Sequence, residues 1–305
     1  LTARLLRCAY ERVGSEAGDD APLALERIID ALQALEILPK GTRPTDSDVA
    51  LAKAFGDGSS PSSLCGLMQS VRFLSQRTRG RLSRDAWQTL HEIGVLFGGT
   101  ATSVPVDPVA KLEQLLILLS AVRGSTLDNM VRSHAWTFLD MGRRVERGSM
   151  MLTVLRAMLA PGALRVHMEV LLEVADSLLT YRARYLSQLQ VAPVVDLLLT
   201  DETNPRSVVF QANELQRHVA QLPRLDDVVR NRAERRAIAL QSSLMTLDVV
   251  RACAGNGDEL RAALEACGEL FWQFSDDVEH TWFSHTSPSH ALAIPAWVDE
   301  ELEVR

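Results

Sequence analysis

Hydrophobic and polar positions recur at helical spacing along nearly the whole chain. Apolar residues return every three or four positions, as in helices that bury one face at about 100° per residue. Capping chemistry divides the pattern. Residues 1–13 are periodic with no cap before them, and Gly14 to Asp20 reads as a loop. Pro22 opens a helix through Leu38, closed by Pro39 and Gly41. Asp46 to Phe55 is a short helix stopped by Gly56 and Gly58, and Pro61, with Ser60 as N-cap, starts the next. Ser83 caps a helix that ends at Gly98-Gly99, and Asp107-Pro108 starts a leucine-rich helix ending at Gly124. A central helix is expected from Ser125 to Leu159, another over 163–190, and a short one from Pro193. Pro205 begins the next, with Asn204 as its cap, ending near Leu222-Pro223. The last two run from Leu225 to Ala254 and from Asp258 to about Phe283. No stretch alternates at strand period between hairpin turns. The expected fold class is all-α, a multi-helix bundle.

The pattern repeats. Asp57-x-x-x-Pro61-x-Ser63 returns as Asp201-x-x-x-Pro205-x-Ser207, 144 residues later, each time after a short apolar helix. Leu5 to Arg7 also resembles Val154 to Arg156, which follows closely on Glu146-Arg147. The expected organisation is two tandem repeats, 1–124 and 125–285, and a surface tail at 286–305. The first repeat lacks an opening helix equivalent to the second's, so the chain reads as cut from something longer.

The central helix carries the unexpected charges. Trp136, Leu139, Met150, Val154 and Met158 form one stripe, with Arg143 and Arg147 inside it, Asp140 beside them and Glu146 at its edge. Phe138, Met141, Val145 and Leu152 occupy the opposite side, so the helix is expected to be buried almost all round. A buried charge costs several kcal/mol, roughly, unless it is paired. Two readings follow: a salt network at i,i+3 and i,i+4 spacing, the commoner solution, or a carboxylate or phosphate site built on arginine forks. The theme recurs in TYRARY, where Arg182 and Tyr185 share a face with Leu171, Ala175, Leu178 and Leu189 while Tyr181 and Arg184 lie off it. Tyr185 is expected in the core, and Arg182 is expected to find a partner across the bundle. The turn DETNPRS offers Asp201 and Glu202 as partners, or an anion site at a helix start with Arg206 near Asn204. In TWFSH, His285 reads as a helix-end histidine rather than a catalytic one.

Composition narrows the function. Hydrophobic residues are 47% and charged ones 23%, the profile of a globular chain with a sizeable core. A net charge of −7 argues against a non-specific nucleic-acid or anionic-membrane binder. Cys8, Cys65, Cys253 and Cys267 have no metal-site spacing and suit free thiols in a reducing cytoplasm. No apolar run approaches the ~18 residues of a membrane span. Asp226-Asp227 and Asp276-Asp277 complete no DDxxD motif, and no paired Glu-x-x-His, P-loop, GxGxxG or GxSxG is present. No metal or cofactor is expected.

The GRRVERG run, TYRARY, LLLTDETNPRSVVFQ and TWFSH resemble the bacterial Alpha-E domain, a helical domain named for its Glu-Arg motif and usually present as a tandem duplication. The resemblance spans essentially residues 1–285, and the chain departs from it in lacking the first Glu-Arg motif. It implies a role beside circularly permuted ATP-grasp ligases, in cis or in trans, and transglutaminase-like proteins, in peptide synthesis or modification. The expected function is a non-catalytic accessory or substrate-binding module. Its charges, Asp140, Arg143, Glu146, Arg147, Arg182, Tyr185, Asp201, Glu202, Asn204 and Arg206, would converge near the middle of the bundle to hold a peptide or amino-acid carboxylate or to dock the ligase. The alternative is an enzyme of the same pathway with Glu146 or Glu202 as acid/base and the arginines orienting substrate.

Overall fold

A computed structural model describes residues 1–13, 20–97, 106–163, 165–185, 188–223 and 229–284. Among them are fourteen α-helices and no strand, as the periodicity requires. The expected loop at Gly14, the stop at Gly98-Gly99, the start at Leu225, His285 and the tail lie outside the described residues. The first six helices are α1 (Thr2–Val13), α2 (Ala21–Ala34), α3 (Ser47–Gly56), α4 (Leu64–Arg77), α5 (Arg84–Leu96) and α6 (Pro108–Asn129). Helix α7 (His134–Met158) follows, then α8 (Arg165–Val174), α9 (Leu178–Tyr185) and α10 (Val191–Val195), which runs into one π-turn at Asp196–Thr200. The chain continues through α11 (Val208–Val219), α12 (Arg232–Met245), α13 (Val249–Ala252) and α14 (Asp258–Trp282). Helix α7 is central: α2, α11 and α14 all pack on it, and one hydrophobic cluster runs through both halves.

The two Asp-x-x-x-Pro-x-Ser turns have the same hydrogen bonds position by position. Ser63 Oγ accepts from Gly66 N at 3.0 Å, and Ser207 Oγ from Phe210 N at 3.1 Å. Both serines donate back to the aspartate carbonyl, Asp57 at 2.5 Å and Asp201 at 2.7 Å. Each aspartate's Oδ1 accepts from the backbone N–H two residues on, Ser59 at 3.0 Å and Thr203 at 2.9 Å. The N-caps are therefore Ser63 and Ser207, not Ser60 and Asn204, and each proline sits in the turn before its helix. The freed Asn204 side chain is buried instead and donates to the Leu197 carbonyl at 2.8 Å.

Several boundaries differ from expectation for local reasons. Helix α6 continues through Gly124 to Asn129 and buries Thr126, so position 124 lies inside a helix and α7 starts behind Ser133. One glycine costs a helix only about 1 kcal/mol. Helix α2 stops at Ala34, and the expected 163–190 helix is broken after Val174. The cause is the same in both: a left-handed residue, Glu36 (φ 57°) or Asp176 (φ 56°), closes the helix. The next N–H bonds five residues back, from Ile37 to Leu32 at 2.9 Å and from Ser177 to Leu172 at 2.8 Å. The expected Leu225–Ala254 helix is divided as well, because Asn231 and Asp248 side chains cap α12 and α13 separately.

Candidate functional site

Burial on α7 follows a stripe rotated from the expected one. Trp136, Asp140, Arg144, Gly148, Met151 and Leu155 are buried, whereas Leu139 and Glu146 are exposed. The buried stripe brings Asp140 against the middle of α11. Its Oδ2 accepts from Arg144 Nε at 3.0 Å and lies 2.8 Å from His218 Nε2, while Arg143 reaches Oδ1 at 3.2 Å. Arg144 also donates to Gln211 Oε1 at 3.2 Å and pairs with Glu214 at 3.4 Å. Arg217 closes on the same Glu214 oxygen at 2.6 Å. Burial alone raises the Asp140 proton affinity, but the His218 hydrogen bond and the Arg144 charge outweigh it. They hold the carboxyl well below the ordinary carboxylate range. An ionised carboxylate only accepts, so His218 Nε2 carries the proton. Trp136 packs edge-on to that ring at 5.3 Å. Asp140, Glu214 and His218 bring three possible metal-ligand atoms within 4.8 Å of one another. The Arg144 guanidinium already pairs with both carboxylates there.

A second cluster lies beside this network, and its charges do not balance. Arg147 on α7 and Arg123 on α6 are half-buried, and among the described residues neither has a carboxylate partner. Burial, followed by the charges of Arg123, Arg206, Arg143 and Arg144, holds the Arg147 proton affinity well below an arginine's usual value. Arg206, from the turn before α11, is depressed by burial and by Arg4 and Arg123, while Asp176 offsets part of that. Arg206 and Arg4 share one oxygen of Asp176, at 2.5 Å and 2.8 Å. The left-handed conformation of Asp176 places its carboxylate at that junction, a backbone state costing an ordinary residue roughly 1–2 kcal/mol. Leu1, just before α1, is half-buried against the hydrophobic core. Of the five guanidiniums Arg4, Arg123, Arg143, Arg147 and Arg206, Arg4 and Arg206 pair with Asp176 and Arg143 with the already shared Asp140.

The other expected site residues do not join this cluster. Arg182 is exposed on α9 and pairs with Glu169 at 3.4 Å, whereas Tyr181 is fully buried. The break at Asp176 resets the helical phase, which exchanges the two. Tyr185 is half-buried, and its hydroxyl lies 3.2 Å from Asp196 Oδ2. Asp201 pairs with Arg184 rather than Arg182, and Arg184 also donates to Thr203 Oγ1 at 2.8 Å. Glu202 is exposed, accepts from Asn213 at 2.9 Å and lines a groove with Tyr185 and Met245. Glu146 lines a different groove, between α7 and α14, with Arg156 and Trp272. Of the expected set, the fold brings together Asp140 and Arg143 in the buried network and Arg147 and Arg206 in the arginine cluster.

The expected set omits Arg144, Gln211, Glu214, His218, Arg4, Arg123 and Asp176. Arg144, at i+4 from Asp140 on the face of Trp136 and Met151, lies one residue of rotation away from the stripe that looks apolar. Gln211, Glu214 and His218 share one face of α11, a polar stripe beside Leu215. Arg4, Arg123 and Asp176 come from three distant segments and carry no local signal.

The chain belongs to the Alpha-E family, described as a predicted alpha-helical domain with a conserved ER motif, and matches it over residues 1–283. It is 30% identical over 182 residues to the uncharacterized protein Rv2567 of Mycobacterium tuberculosis. It is 29% identical over the same length to the uncharacterized protein Mb2597 of Mycobacterium bovis. Each match covers 55% of this chain and 20% of the relative, so the matched segment spans about one fifth of these longer proteins. No solved structure matches the chain.

Proposed function

We propose that the chain is a non-catalytic, substrate-binding accessory module whose arginine cluster holds an anionic group, in a cytoplasmic, ATP-grasp-associated system of peptide synthesis or modification. One observation carries the anion site: Arg147 and Arg123 are half-buried without a carboxylate partner among the described residues, next to three further arginines. Removing a guanidinium from water without a counter-charge costs several kcal/mol, roughly. A bound carboxylate or phosphate supplies that counter-charge through bidentate hydrogen bonds. The system is the one that the resemblance to Alpha-E domains implies. The cytoplasmic setting is supported by four free cysteines. No helix among the described residues is long and apolar enough to cross a membrane.

The test is co-purification of the full-length protein with an ATP-grasp ligase from its own genome, followed by a ligase assay. Arg147→Ala and Arg206→Ala are expected to reduce turnover without lowering the melting temperature. Full activity in both variants, or the absence of any ligase association, would overturn the proposal.

A further inference from the structure

The geometry points to an extended, zwitterionic oligopeptide of about four or five residues as the ligand of the arginine cluster, lying along α6 with its C-terminal carboxylate among the guanidiniums. The inference rests on the anion-site reading above and adds the class and direction of the ligand. A cleft of about 600 Å³ opens between α1, α6 and the α8–α9 junction, within the size range of small-ligand sites. Its lining includes Arg4 and Asp176, and Asp176 also pairs with Arg206, so the cleft adjoins the cluster. Arg7 and Glu173 line the cleft too and pair with each other at 3.8 Å. Its walls include Leu116, Ile117 and Leu179, and the last two are 70% and 80% exposed. Along α6 the cleft passes Glu113, Leu116 and Ser120, and Arg123 stands one turn beyond Ser120.

Charge and length select among possible occupants. Glu113, ten positions before Arg123 on α6, has no ion pair among the described residues, whereas the cleft's other carboxylates, Glu173 and Asp176, pair with Arg7 and Arg4, so Glu113 is left as the acceptor for a cation. The ten steps from Glu113 to Arg123 rise about 15 Å along the helix. Four or five extended residues cover the same distance at about 3.3 Å each. A fatty acid would match the arginine end and the leucines but would place its tail at Glu113. A free phosphate would use the arginines and leave the apolar walls in water. A peptide with both ends free matches the carboxylate, the apolar walls and the ammonium position together.

Isothermal titration of the full-length protein tests this, with three probes: inorganic phosphate, a pentapeptide of alternating alanine and leucine with free ends, and its C-terminal amide. The free peptide is expected to bind, and the amide to bind at least roughly tenfold more weakly. Ile117→Asp, at an exposed position, is expected to weaken the peptide by a similar factor and leave phosphate binding intact. Equal binding of acid and amide, or phosphate binding with no peptide binding, overturns the inference and leaves the anion site standing. If neither phosphate nor peptide binds, the inference and the anion-site reading fall together. Thermal unfolding of Ile117→Asp verifies that the variant is folded.

Discussion

Asp140 is the residue on which the buried network depends. It neutralises Arg144 in a setting where either charge alone would be strongly unfavourable, and it fixes the tautomer of His218. Among the described residues, Asp140→Asn leaves Arg144 with Glu214 at 3.4 Å as its one carboxylate partner. Breaking a buried pair in this way is expected to cost roughly 3–5 kcal/mol, read from urea unfolding at neutral pH. A loss near zero would show that Asp140 is not what balances Arg144. The same residue sets an acid limb. Its folded-state proton affinity is held below that of an unfolded aspartate, about 3.9. Its carboxylate therefore stabilises the fold above about pH 4, and that contribution is lost as pH falls further toward the folded value. Asp140→Asn should flatten stability against pH below 4, whereas an unchanged acid limb would place the titrating group elsewhere. Half of this chemistry was legible in the sequence, since Asp140 and Arg143 stand out as charges in an apolar helix. Arg144 was obscured because one residue of rotation separates the face that looks apolar from the face that is buried.

At the scale of elements, period and cap were read more securely than helix ends. Asp107 and Ser83 cap α6 and α5 as their sequence contexts imply. The left-handed closures at Glu36 and Asp176 were missed because neither residue is the glycine or asparagine expected at such a position. The second miss mattered more. It put Arg182 in the core when Tyr181 belongs there, and it hid the aspartate that bridges Arg4 and Arg206. Helix α7 packs tightly on α14 at Gly148, where a methyl group would lie 2.2 Å from Phe271 Cζ, and Phe271 is fully buried. Gly148→Ala is expected to destabilise the protein by about 1–3 kcal/mol through overpacking, measured by thermal or urea unfolding. A neutral substitution would mean that α14 can move away from α7 without loss.

At the scale of the molecule, the two Asp-x-x-x-Pro-x-Ser turns, 144 residues apart, share their hydrogen bonds. The arginine cluster draws on segments from across the chain. Arg4 and Arg123 come from the first part of the chain, and Arg147, Asp176 and Arg206 from the second. No periodicity within one segment reports such a juxtaposition, so the sequence indicated individual charged motifs but not which of them meet. Under the proposed function, Arg147 is held as an uncompensated cation for an anionic ligand, which sets stability against function at one residue. The most direct test is thermal unfolding of the full-length protein and of Arg147→Met across a titration of inorganic phosphate. Phosphate is expected to raise the wild-type Tm along the curve for a ligand that binds only the folded state. Arg147→Met is expected to melt higher than wild type without phosphate and to lose the response to it. A wild type indifferent to phosphate, with Arg147→Met melting lower, would show that Arg147 supports the fold and that the cluster is not a binding site.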